Sequence, residues 1–214
     1  MAQIRIVYVP WPKLEAGELH KDAKEFKKGM SDRPSKKVNE WKLAYSDQPG
    51  QLVGLPADSQ IYVLGHSDTG KDWITNKIEK LKYNLVCDRL IACGLSEHYA
   101  GRLKFYNCLN ALDAEGAKGK NSFASKAAQC LRKKEFKNVR IFGYAGILCQ
   151  PVAGLQKMYV PYRGTQAKFG ARAVRVEYDE TGLPMMVQPI VAKPVVTSEE
   201  TSSPFEEYSA WEED

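Results

Sequence analysis

Cysteine is scarce and odd in number: five in 214 residues, at Cys87, Cys93, Cys108, Cys130 and Cys149, with no Cys-x-x-Cys spacing. That argues against a disulfide scaffold or a cysteine-rich zinc module and fits a reducing compartment such as the cytoplasm. No apolar run approaches the roughly 18 residues that a membrane span needs. The opening residues, Met1 to Pro10, lack a basic stretch leading into a long apolar one, so they read as a first strand rather than a signal peptide. There is no internal repeat. Histidine is rarer still, with three in the chain, His20, His66 and His98. Chemistry that needs an imidazole has few places to find one.

What is present is a body with a core and a strong positive charge. At 43% hydrophobic content the chain can bury a sizeable core, and one domain over residues 1–193 is expected. The formal charge of +5 conceals a split. Residues 194–214 carry seven acidic residues and no basic ones, so the first 193 hold a net +12. Such a body attracts anions, and the tail is expected to be mobile. Phe205, Tyr208 and Trp211 recur every three residues among its carboxylates, as a docking motif would. A nucleic-acid role is not expected. Lys21, Lys24, Lys27 and Lys28 on a helix, with Arg33, Lys36, Lys37 and Lys42 nearby, have no aromatic residues interleaved as a stacking platform.

The order of elements points to an α/β fold with an open, mainly parallel sheet flanked by helices. Strands are expected at Gln3–Val9, Trp41–Tyr45, up to His66, 103–108 and 139–144; helices at 14–30, 73–81, 85–93 and 123–136. Asn121 and Ser122 are candidate caps for the last helix. A C-terminal β-hairpin is expected from Ala173 to Val191 around the turn Asp179-Glu180-Thr181-Gly182, and 152–170 reads as irregular.

The stretch Ile61-Tyr62-Val63-Leu64-Gly65-His66-Ser67 is a buried strand that delivers a histidine to a sheet edge. A second strand, Leu103 to Cys108, delivers a cysteine 42 positions later. Two parallel strands ending at one edge can set the side chains together, and sites of open α/β sheets lie at that edge. A nearby histidine can take the proton of a thiol and make it a nucleophile. The backbone amides of Ser67 and Cys108 are then placed to hold a tetrahedral oxyanion. Spacing alone leaves open a polar strand-end histidine and a buried core thiol.

Two other chemistries share these residues. Gly65-His66-Ser67-Asp68-Thr69 falls one glycine short of a nucleophile elbow, with Ser67 attacking and His98 as the one later histidine. A non-catalytic basic module that binds protein partners is the other.

A strand ending in Gly65-His66 and another ending in Cys108 resemble the caspase–gingipain superfamily (clan CD) of cysteine peptidases. The likeness is nearest to the self-cleaving cysteine protease domains of large bacterial toxins. There too a Ser-Phe-Ala-type helix follows the cysteine strand, as Ser122-Phe123-Ala124-Ser125-Lys126-Ala127-Ala128 does here, and a further strand follows it, as Val139-Arg140-Ile141-Phe142 does. The resemblance covers roughly residues 58–146. It implies a caspase-like sheet, protein substrates, His66 as base or orienting acid and Cys108 as nucleophile, with no metal or cofactor. Two positions depart from the family: Ser67 stands where it usually has glycine, and Tyr106-Asn107-Cys108-Leu109 lacks the Gln-Ala-Cys of caspases. Asp68, two positions after the histidine, is the one candidate for attracting a basic substrate side chain.

Overall fold

The computed structural model describes residues 3–32, 39–116, 118–148, 158–160 and 169–185. The acidic tail with Phe205, Tyr208 and Trp211, the basic residues Arg33, Lys36 and Lys37, and the return strand of the hairpin beyond Met185 lie outside the described residues.

In chain order the elements are β1 (Gln3–Val9), α1 (Glu18–Ser31), β2 (Asn39–Tyr45), β3 (Gln60–Leu64), β4 (Trp73–Thr75), β5 (Lys80–Lys82), α2 (Tyr83–Ala92), β6 (Arg102–Tyr106), α3 (Phe123–Lys133), β7 (Arg140–Tyr144), β8 (Ile147–Leu148), β9 (Met158–Val160), β10 (Phe169–Gly170), a 3₁₀ turn (Ala171–Val174) and β11 (Arg175–Tyr178). Six strands form the main sheet in the order β11-β7-β6-β3-β1-β2. All neighbours are parallel except β11, which closes the edge antiparallel to β7. This is the open, mainly parallel α/β sheet expected from the alternation of strands and helices. The chain turns one way from β1 to β2 and the other way from β3 onward. The carboxyl ends of β1 and β3 therefore flank the reversal, where such sheets open a crevice.

The central strands β3 and β6 are buried on both faces because helices cover both. On one face Phe26 of α1 meets the rings of Trp41, Tyr62 and Tyr106, with centroids 6.1, 5.4 and 4.9 Å away. On the other, Phe105 meets Phe123 of α3 edge-on at 5.4 Å, and α2 packs beside α3. Ser122 caps α3 as expected, its Oγ accepting from the Ser125 N–H at 3.3 Å. The hairpin after β11 begins where expected. Asp179 N–H donates to Leu183 O at 2.9 Å and Met185 N–H to Glu177 O at 2.8 Å.

Four local expectations are corrected. Residues 73–81 form no helix: β4 and β5 pair antiparallel as a hairpin. Ile74 and Thr75 are β-branched, and the Asn76 side chain makes the turn by accepting from Ile78 N–H at 3.0 Å and Glu79 N–H at 2.7 Å. Helix α1 begins at Glu18, not at Leu14, which is exposed; Gly17, with φ of 56°, breaks the chain just before it. Leu85, Arg89/Leu90 and Cys93 recur at helical spacing and suggest an inward stripe starting at Leu85, but in α2 the buried face is Val86, Cys87 and Leu90, while Leu85 points outward. Within 152–170, β9 and β10 join β8 in a small antiparallel sheet rather than an irregular segment.

One buried group goes against the hydrophobic pattern. Lys104 of β6 is only 5% exposed and donates to Gln60 Oε1 at 2.6 Å and Tyr62 OH at 3.0 Å. Burial, reinforced by Arg175, Arg102, Arg5 and Arg140, lowers its pKa from 10.5 to about 6. At neutral pH the folded chain therefore holds an uncharged amine where the unfolded chain holds an ammonium. The unfolded state binds more protons between those two values, so stability rises with pH from about 6 toward 10.5 and flattens below 6. Lys104→Met is expected to raise stability at pH 7 by roughly 2 kcal/mol, after allowing for two lost hydrogen bonds, and to remove this slope. Urea unfolding of both proteins at pH 6, 7 and 9 measures it; an unchanged slope would show that Lys104 stays charged.

Candidate functional site

Strands β3 and β6 run parallel with Leu64 opposite Tyr106 as their last pair. His66 and Cys108 each lie two positions beyond that pair, at the same sheet edge. The ladder continues there through side chains. Asn107, 1% exposed, donates from Nδ2 to Gly65 O at 3.0 Å and Val63 O at 3.3 Å, tying the end of β6 to the end of β3. A β-carbon on Gly65 would lie 3.2 Å from that same nitrogen and 3.0 Å from Ile74, so the close approach of the two chain ends favours glycine here.

His66 is fixed at its backbone by the unexpected hairpin. Its N–H donates to Thr75 O at 2.8 Å and its carbonyl accepts from Thr75 N–H at 2.9 Å. Its side chain is about a quarter exposed, with Nε2 3.9 Å from Oδ2 of Asp22 on α1. Asp22 sits in the first half of α1, which follows the carboxyl end of β1, so the pair spans the crevice between β1 and β3. Burial, helped by Glu25 and Glu18, shifts the Asp22 carboxyl upward. The sequence reading missed Asp22: it lies 44 positions from His66, and only the packing of α1 on the sheet brings them together.

Cys108 is 8% exposed and shares a small apolar cluster with Leu109 and Leu112, against which Ile147 and Leu148 pack. Its Sγ accepts from the Leu148 N–H at 3.4 Å. Leu109 follows in the left-handed region, φ 53°, and its N–H donates to Gly146 O at 3.2 Å. This tight turn is held by Asn110. Asn110 Nδ2 donates to Phe105 O at 2.7 Å and Asn107 O at 2.6 Å, and its Oδ1 accepts from Tyr144 N–H at 3.0 Å. The loops after β3 and β6 also touch: Gly70, φ 71°, has Ala114 Cα 2.5 Å from where its β-carbon would stand.

Ser67 is buried, 9% exposed, with an ordinary backbone; the non-glycine residues of positive φ among those described are Lys77, Leu109 and Glu135. The conformation at position 67 thus does not require glycine. Asp68 is exposed, and its Oδ1 accepts from the Thr69 N–H at 2.6 Å.

The structure does not bring Ser67 and His98 together. Ser67 follows the carboxyl end of β3, whereas His98 precedes the amino end of β6, where Gln60 pairs with Arg102. The two positions are separated by the length of the strand, on the order of 15 Å. His98 is exposed beside Glu97. The third histidine, His20, is engaged through Nδ1 with Tyr45 OH at 2.7 Å. Among the described residues no group of three or more His, Cys, Asp or Glu is arranged to hold a metal, and no helix is long and apolar enough to cross a membrane. A scan of the chain against protein-family models and a search of curated proteins found no match.

Proposed function

We propose that the protein is a cysteine endopeptidase of the caspase-like type that cleaves protein substrates with a Cys108–His66 dyad. The observation that carries the reading is the register: Leu64 pairs with Tyr106, and His66 and Cys108 extend that pair to the sheet's carboxyl edge. The thiolate of Cys108 attacks the peptide carbonyl. The oxyanion is held by the amides of Cys108 and Ser67, and His66 protonates the leaving amine. Water, deprotonated by His66, then hydrolyses the thioester. Asp22 faces Nε2, orients the ring and stabilises its cationic form. Asp68, exposed in the same loop, would attract a basic substrate side chain.

The test is proteolysis of a panel of protein substrates by the wild type and His66→Ala. Cleavage lost in the variant supports the dyad, and cleavage retained rejects it. For Asp22→Asn a fall in kcat of about tenfold with little change in KM is expected, because an orienting carboxylate acts on the chemical step. An equal fall in Asp22→Ala and an unaltered kcat in Asp22→Asn would reduce Asp22 to a structural role.

The alternative, a non-catalytic basic module for acidic protein partners, has in its favour Arg5, Arg102, Arg140 and Arg175 grouped around Lys104. It predicts tight, salt-sensitive binding with no cleavage by any variant.

A further inference from the structure

Away from the sheet edge, helices α2 and α3 bring two cysteines into contact. Cys87 lies on the buried face of α2 and is fully covered; its Sγ lies 3.6 Å from the carbonyl of Ala127, one turn before Cys130 on α3. The Cys87 S–H donates to that carbonyl, and Cys130 stands one turn further along α3, so the two thiols lie at one contact between the helices and shift one another's ionisation. Cys130 is partly exposed, so solvent reaches one member of the pair and not the other. The helices are clamped next to the pair by Lys134, the C-cap of α3, whose Nζ lies 2.9 Å from Oδ1 of Asp88 on α2.

We infer that Cys87 and Cys130 form a peroxide-responsive dithiol that closes to a disulfide between α2 and α3. The partition of roles follows from exposure: solvent and peroxide reach Cys130 and not Cys87. The Cys87 thiol draws that of Cys130 down, Lys134 and Lys133 help, and burial and Asp88 oppose. The neighbouring Cys130 thiol and its own burial hold the Cys87 thiol well up, so it keeps its proton. Cys130 is thus the attacking sulfur and Cys87 the resolving one.

The steps balance. The Cys130 thiolate attacks one oxygen of hydrogen peroxide and the O–O bond breaks. The hydroxide that leaves takes a proton and becomes water, and Cys130 becomes a sulfenic acid. Cys87 sulfur then attacks the sulfenic sulfur. The S–O bond breaks, the Cys87 proton leaves with the hydroxyl as a second water, and the S–S bond forms. Two thiols lose two electrons and one peroxide gains them. A dithiol reductant reverses the step by exchange. This chemistry is independent of Cys108 and of any peptidase activity.

The test uses the full chain. It is exposed to a small excess of hydrogen peroxide, quenched with catalase, alkylated, digested without reductant and mapped by mass spectrometry. The expected result is a Cys87–Cys130 linked peptide, short of two hydrogens, at about tenfold or more the yield of any link involving Cys93, Cys108 or Cys149, and lost on adding dithiothreitol. Between pH 6 and 8 the rate of its formation should rise with pH, following the thiolate fraction of Cys130. Cys87→Ser should trap Cys130 as a sulfenic acid that reacts with dimedone, and Cys130→Ser should leave Cys87 as a thiol. Full alkylation of Cys87 and Cys130 under conditions that oxidise the other thiols would overturn the inference. So would over-oxidation of Cys130 with no link formed. The wild-type map decides the point even if neither variant folds.

Discussion

Cys108→Ala is expected to abolish proteolysis, lowering kcat/KM by at least about 10³-fold, because removing a covalent nucleophile leaves only binding and oxyanion stabilisation. The substitution deletes one sulfur atom in a small apolar cluster with Leu109 and Leu112. The fold should therefore survive, and circular dichroism and thermal unfolding should match the wild type closely. Activity lost together with the fold would say nothing of chemistry, which is why both measurements are made on the same protein. Cleavage retained by a folded Cys108→Ala would remove Cys108 from the reaction.

The second large effect concerns the residue that shapes the turn around Cys108. Asn110 is 1% exposed and its amide joins three backbone groups, Phe105 O, Asn107 O and Tyr144 N–H. It extends the pairing of β6 with β7 past the last backbone pair, Lys104 with Phe142. Asn110→Ala leaves buried polar groups without partners, each worth about 1–3 kcal/mol, and is expected to cost roughly 3–5 kcal/mol in all after partial relaxation. Urea unfolding measures the loss. Asn110→Asp, which keeps an acceptor for Tyr144 N–H but loses both donors, should fall no less far. A loss under about 1 kcal/mol would mean that water or a shifted turn satisfies these groups.

The fold was legible because the strands of a sheet covered on both faces read as short apolar runs separated by helical stretches. Ile61 to Leu64 carry that signal plainly, Leu103 to Tyr106 carry it interrupted by Lys104, and the two set the edge on which His66 and Cys108 stand. Ser122 announced the start of α3 for a local reason, its own side chain capping the helix. The errors came where local chemistry and tertiary packing compete. The Trp73–Leu81 segment has helix-compatible residues, but the Asn76 side chain favours a turn, and pairing with His66 gives the hairpin a third strand segment. Leu14 and Leu85 look like core residues in a helical stripe, yet both face solvent because Gly17 and the packing of α2 on α3 set a different start and a different face. Asp22 and Lys104 were invisible for another reason: their neighbours are distant in sequence. A carboxylate on a lysine-rich helix and a lysine in a strand read as surface residues until α1 and β3 bring their partners to them.

The serine-hydrolase reading rested on sequence proximity of Ser67 to an elbow-like motif. Geometry separates its parts, since a parallel sheet sends Ser67 and His98 to opposite edges. What the dyad reading has that the elbow lacks is a common edge for both partners and a carboxylate, Asp22, behind the histidine.

The most direct test of that reading is the reactivity of Cys108 itself. A peptidyl acyloxymethyl ketone, which a cysteine peptidase attacks as it would a substrate carbonyl, is incubated with the wild type, His66→Ala and Asp22→Asn, and the modified residue is located by mass spectrometry. The account predicts labelling of the wild type at Cys108 ahead of Cys87, Cys93, Cys130 and Cys149. It predicts a rate lowered by about 10²-fold or more in His66→Ala and by about tenfold in Asp22→Asn. Labelling of Cys108 at the same rate in the wild type and in folded His66→Ala would contradict it.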